Sequence, residues 1–87
     1  MTLHLYAILF SPDSVHFLKK LDKKTAKQIY GKIYSILENP YHYTTALVDR
    51  GGLRKLRVGN FRILLEIDDG QVLVMIIDIG HRKNIYH

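Results

Sequence analysis

Cysteine is absent from this 87-residue chain, which excludes a disulfide framework and any thiolate metal site. That absence fits a cytoplasmic protein, the location expected here. Long apolar runs are missing as well. The two longest, Leu5 to Phe10 and Val72 to Ile77, are far short of a membrane span, so no membrane association is expected. A secretory leader is not expected either, because Met1 to Phe10 lacks a basic n-region and Pro12-Asp13 follows too soon. No internal repeat, low-complexity stretch or interdomain linker is visible, and the length suits one core but not two. The expectation is a single domain over residues 1–87. Hydrophobic residues at 47% and charged residues at 24% place the chain among folded proteins and not disordered ones. What it holds in excess is positive charge. A formal net charge of +5 suggests nucleic acid, an acidic protein, or both as partners.

Leu3 to Phe10 is short and mostly apolar and reads as a strand buried on both faces. Ser11-Pro12-Asp13 then supplies a helix start: a serine N-cap, proline at the first position and an acid in the first turn. Val15, Leu18 and Leu21 continue at helical spacing. After a break near Leu21–Lys23, a second helix runs from about Lys24 to Glu38. Its Ala26, Ile29, Tyr30, Ile33, Ile36 and Leu37 form one apolar stripe, and Asn39-Pro40 ends it. Residues 41–52 have no period and read as a loop. Three strands follow, divided by turns at Gly59-Asn60 and Asp69-Gly70. The order predicts an α+β fold, with an N-terminal strand, a helical hairpin and a three-stranded antiparallel segment that joins the first strand in one sheet.

A two-residue turn at Gly59-Asn60 pairs Val58 with Phe61, Arg57 with Arg62, Leu56 with Ile63 and Lys55 with Leu64. Opposed residues share a face. Lys55, Arg57 and Arg62 therefore gather on one side, and Leu56, Val58, Phe61, Ile63 and Leu65 form a core face on the other. Three cations side by side repel one another, so an anionic partner is expected over them. A second two-residue turn, at Asp69-Gly70, places Ile77 opposite Arg62. The chain leaving the sheet at Gly80 then brings Arg82 back toward Arg57 and Arg62.

The order of elements, with KLRVGNFRILLEI and the closing IGHRKNIY, resembles the RelE/ParE toxin superfamily, and within it the RelE-type mRNA endonucleases. The likeness spans nearly the whole chain, and its specific part is residues 53–86. It implies that Arg62 contacts the scissile phosphate, that Arg82 is a second catalytic arginine, and that Tyr86 orients or stacks on an mRNA base. It also implies that Lys55 is one of two catalytic-site lysines and Arg57 an RNA-binding neighbour. Leu53 stands where the family has the other lysine. The implied function is a type II toxin that cleaves mRNA on the ribosome and so blocks translation. A RelB-like antitoxin would neutralise it, with a heterotetramer as one stoichiometry open to the pair. Alternatives are a ParE-like inhibitor of DNA gyrase, or an RNA-binding domain without catalysis.

Such cleavage needs no protein nucleophile, because RNA carries its own 2′-hydroxyl. It needs alignment, a base, an acid for the leaving 5′-oxygen, and compensation of charge on the phosphorus. Arginine suits the last task through its planar fork and permanent charge, which singles out Arg62 and Arg82. The base is left open among Lys55, His81, His87 and Glu66; histidine is the usual choice, and resemblance favours Lys55. No cofactor or metal is called for, since His81 and His87 lack metal-ligand spacing. Lys19, Lys23 and Lys27 recur every four residues, where like charges repel within a helix. They read as a second basic zone, suited to ribosomal RNA.

Overall fold

The computed structural model describes residues 5–81. Strand β1 (Ala7–Phe10) leads into helices α1 (Pro12–Lys19), α2 (Lys23–Ser35) and the short α3 (Pro40–Tyr43). Four strands follow: β2 (Thr45–Ala46), β3 (Arg54–Val58), β4 (Phe61–Asp68) and β5 (Leu73–His81). They form one five-stranded sheet in the order β1-β5-β4-β3-β2, with β1 parallel to β5 and the other pairs antiparallel. The α+β expectation holds.

Local chemistry explains the helix starts. The Ser11 side chain accepts from the Ser14 amide at 3.1 Å, and its hydroxyl donates to the Ile77 carbonyl at 2.7 Å. The cap thus ties the first turn of α1 to β5. Asp22 caps α2 by accepting from the Thr25 amide at 3.1 Å; the Thr25 side chain first, and this amide second, favour the charged carboxylate and lower the acid's pKa. Behind the caps, Leu18, Ile29, Ile33, Ile36 and Leu37 pack on Leu56, Ile63, Leu65, Val74, Ile76 and Ile79 in one buried cluster. The apolar stripe of α2 and the core face of the β3–β4 hairpin meet there, and both come directly from residue spacing.

Three expectations change. β1 is not buried on both faces: it is an edge strand, with Ala7 and Leu9 exposed and Ile8 and Phe10 half-buried. Residues 41–52 are not one loop. Pro40 opens α3, and Thr45–Ala46 pair with Lys55 and Arg54 as a fifth strand. The third change matters most. The β4–β5 connection is four residues long, closed by the Asp68–Leu73 pair, and Ile77 is an extra residue in β5, between the Leu65–Ile76 and Leu64–Asp78 pairs. Arg62 consequently lies opposite Gly80, not Ile77. A one-residue bulge also exchanges the faces of everything beyond it.

Candidate functional site

The β3–β4 register is the one the Gly59-Asn60 turn dictates: Arg57 pairs with Arg62, Leu56 with Ile63 and Lys55 with Leu64. Gly59 has φ 56° and is the first central residue of the turn, a conformation glycine adopts without penalty and one matched to hairpin twist. Lys55 and Arg62 are half-buried and Arg57 is exposed. These three cations line one open cleft of about 290 Å³ with Lys32, Tyr43, Thr45 and Leu56. The cleft sits where β2 ends. Its two residues pair only with Lys55 and Arg54, so the edge of β3 beyond Lys55 has no strand beside it among the described residues.

Lys32, Tyr43 and Thr45 are additions that the sequence did not disclose. Lys32 borders Ile33 on α2 and reads as one more solvated lysine. Tyr43 and Thr45 fall in an aperiodic stretch, and their only signal was a pair of β-branched threonines. What places them is a clamp on the other side of β3. Arg54, pointing opposite to Lys55, donates from Nε to the Thr44 hydroxyl at 2.8 Å and from a terminal nitrogen to the Thr44 carbonyl at 2.9 Å. Its guanidinium lies 5.0 Å from the Tyr41 ring centroid. Thr44 is buried and its hydroxyl donates to the Pro40 carbonyl at 2.7 Å. The same corner is tied to the β4–β5 turn, where Asp69 accepts from Tyr6 at 2.8 Å and from Tyr41 at 2.7 Å. Donation to that carboxylate holds both tyrosines above their ordinary value of 10.0.

The remaining candidates divide. His81 pairs with Phe61, not with the cations, and its ring lies 4.9 Å from Phe61 and 6.1 Å from Phe17. The Ile77 bulge has turned it to the helical side, which corrects the expectation of a histidine beside Arg62. Glu66 does share the Arg62 face but stands four residues along β4, about 13 Å at the usual strand rise. Lys19, Lys23 and Lys27 are exposed, yet Lys19 ends α1 and Lys23 begins α2. Only Lys23 and Lys27 are therefore a turn apart in one helix. Arg82, Tyr86 and His87 lie outside the described residues.

Relatives agree with this architecture. The family model described as the ParE toxin of the type II toxin–antitoxin system parDE matches residues 8–86. Toxin RelE of Mycobacterium tuberculosis is 31% identical over 85 residues, covering 95% of this chain and 88% of the relative. In fold, the chain is similar to a structure of the RelBE2 toxin–antitoxin complex of the same organism, with a TM-score of 0.82 at 23% identity over 91% of this chain and 100% of the other. The archaeal RelE–RelB complex of Pyrococcus horikoshii gives 0.79 at 16% identity, over 93% and 99%. With the cation-lined hairpin, the helical layer and the family match spanning nearly all of its length, this chain belongs to the RelE/ParE superfamily of type II toxin–antitoxin toxins.

Proposed function

We propose that the protein is a ribosome-dependent mRNA endonuclease whose cleft grips the scissile phosphate, held in check by a RelB-like antitoxin. The observation that carries the reading is the convergence of Lys55, Arg57 and Arg62 with Lys32 and an aromatic ring in one open cleft. Cations in that number favour a polyanion, and Arg62 offers a planar fork for two phosphate oxygens. As the 2′-hydroxyl attacks, charge grows on those oxygens and a preorganised guanidinium stabilises it. Of the described candidates for proton transfer, Lys55 alone lines the cleft with Arg62, and it is assigned the 2′-hydroxyl proton. Arg82, by resemblance, supplies a second grip on the phosphate and Tyr86 contacts an mRNA base. The bond from phosphorus to the 5′-oxygen breaks as the new one forms; the leaving oxygen takes a proton from solvent to become a 5′-hydroxyl, and the 2′,3′-cyclic phosphate left behind is opened by water to a 3′-phosphate. Antitoxin binding is supported by neighbours solved as toxin–antitoxin complexes.

Cleavage of ribosome-bound mRNA by the native protein and by Arg62→Ala tests this. The variant should fold, since the side chain lies off the core face, and should cleave about 100-fold more slowly or worse, the scale of losing one donor to a developing oxyanion. Arg62→Lys should recover only part of that rate, because the charge returns without the fork. Native-rate cleavage by Arg62→Ala would exclude the assignment. A second reading, inhibition of DNA gyrase, draws on the ParE description of the matched family model. It predicts suppressed supercoiling with mRNA left intact.

A further inference from the structure

Tyr43 has an unusual combination of a fixed backbone and an exposed ring. It ends α3 with 51% of its surface exposed. The next residue, Thr44, is buried and held by Arg54 and by Pro40. The residue after that, Thr45, is paired with Lys55. Position 43 is therefore pinned from its C-terminal side while its side chain stands in the cleft beside Lys32, Lys55, Arg57 and Arg62. The other exposed tyrosines among the described residues have evident structural duties. Tyr41 donates to Asp69 and lies under Arg54, and Tyr34 stacks on Tyr30 with centroids 6.5 Å apart. The Tyr43 hydroxyl has no hydrogen bond among the described residues, and its one ring neighbour there is the perpendicular, exposed His42 at 4.7 Å.

We propose that Tyr43 is a stacking platform for a nucleobase of the bound RNA strand, one nucleotide or so from the phosphate held by Arg62, with Lys32 contacting a flanking phosphate. This deepens the RNA-cleaving reading above and rests on it. Single-strand binding sites combine a cationic track for the backbone with aromatic rings for the bases, and both parts meet in this cleft. A rigidly placed ring loses little freedom on binding, so stacking contributes to affinity and to the position of the strand relative to Arg62.

The chain has no tryptophan, so Tyr43→Trp installs a single reporter. The probe is a short 2′-O-methyl RNA, which cannot be cleaved because its nucleophile is blocked, with binding followed independently by anisotropy of an end label. The proposal expects the reporter to be quenched with the same midpoint as the anisotropy. It expects Tyr43→Phe to bind like the native protein and Tyr43→Ala to bind about 10- to 100-fold more weakly. On programmed ribosomes, Tyr43→Ala should raise KM more than it lowers kcat. An unquenched reporter in a complex seen by anisotropy, or unweakened binding by Tyr43→Ala, would overturn the platform and leave the Arg62 assignment standing. Loss of antitoxin binding by Tyr43→Ala with normal RNA binding would overturn it in favour of a protein-docking role. Failure of every variant and of the native protein to bind the RNA, with Arg62→Ala as active as native, would remove the RNA-cleaving reading together with the platform.

Discussion

At the scale of single residues, the proposed cleavage asks two roles of cations that charge alone would merge. Arg57 and Arg62 are permanently charged and suited to holding phosphate; Lys55, opposite Leu64 and in the same cleft, can also exchange a proton. Lys55→Arg keeps the charge and removes that ability. If Lys55 handles the 2′-hydroxyl proton, kcat on ribosome-bound mRNA should fall by about 10²- to 10⁴-fold, the usual worth of general acid–base catalysis, with KM little changed. A variant that retains native kcat would reduce Lys55 to a phosphate contact. His81 supplies the contrasting case. It packs on Phe61 and Phe17 across the sheet from Arg62, so His81→Ala should leave the cleavage rate near native. Its effect should instead be structural, about 0.5–1.5 kcal/mol from the lost ring contacts, read as a lower Tm. A pH–rate profile altered by His81→Ala would contradict that placement.

At the scale of elements, the parts legible in the sequence are those fixed by local chemistry. The Ser11 cap, the α2 stripe and the Gly59-Asn60 hairpin all follow from residues within a few positions of one another, and with them came the common face of Lys55, Arg57 and Arg62. What escaped depends on distant partners. α3 and β2 are four and two residues long, too short to carry a period, and exist because Arg54 clamps Thr44 and β3 offers an edge. The bulge at Ile77 coincides with the Ser11 hydroxyl on the Ile77 carbonyl and the Ser11 amide on the Ile76 carbonyl at 2.9 Å, contacts no strand pattern encodes. Missing it misplaced His81. The corner around Asp69 makes a pH prediction. Tyr6 and Tyr41 have pKa values raised in the folded protein by donating to Asp69, so their contribution to stability is fully present below 10.0 and is lost as pH rises through the folded-state values. Thermal melts should show Tm falling above about pH 10, and the double variant Tyr6→Phe/Tyr41→Phe should show a shallower alkaline fall from a lower starting Tm. An unchanged alkaline slope would mean that the corner does not couple to folding.

At the scale of the whole molecule, the basic residues singled out among the described ones fall on two surfaces. One is the cleft; the other is the helical side, where Lys19, Lys23 and Lys27 stand exposed. If the helical lysines contact ribosomal RNA, their role is affinity without sequence choice. Replacing all three with alanine should weaken ribosome binding and reduce the slope of log affinity against log salt by about 2, the counterion release expected of three phosphate contacts. The cleavage rate at saturating ribosome should hold. An unaltered salt slope would confine recognition to the cleft. The superfamily match unites toxins that bear RelE and ParE names, so what this molecule attacks is the central question. The most direct measurement incubates the purified protein with mRNA-programmed ribosomes and, in parallel, with DNA gyrase, and determines the chemistry of any new RNA ends. The account predicts ribosome-dependent fragments with 2′,3′-cyclic or 3′-phosphate and 5′-hydroxyl ends, lost in Arg62→Ala, and native supercoiling by gyrase. Intact mRNA beside blocked supercoiling would contradict it.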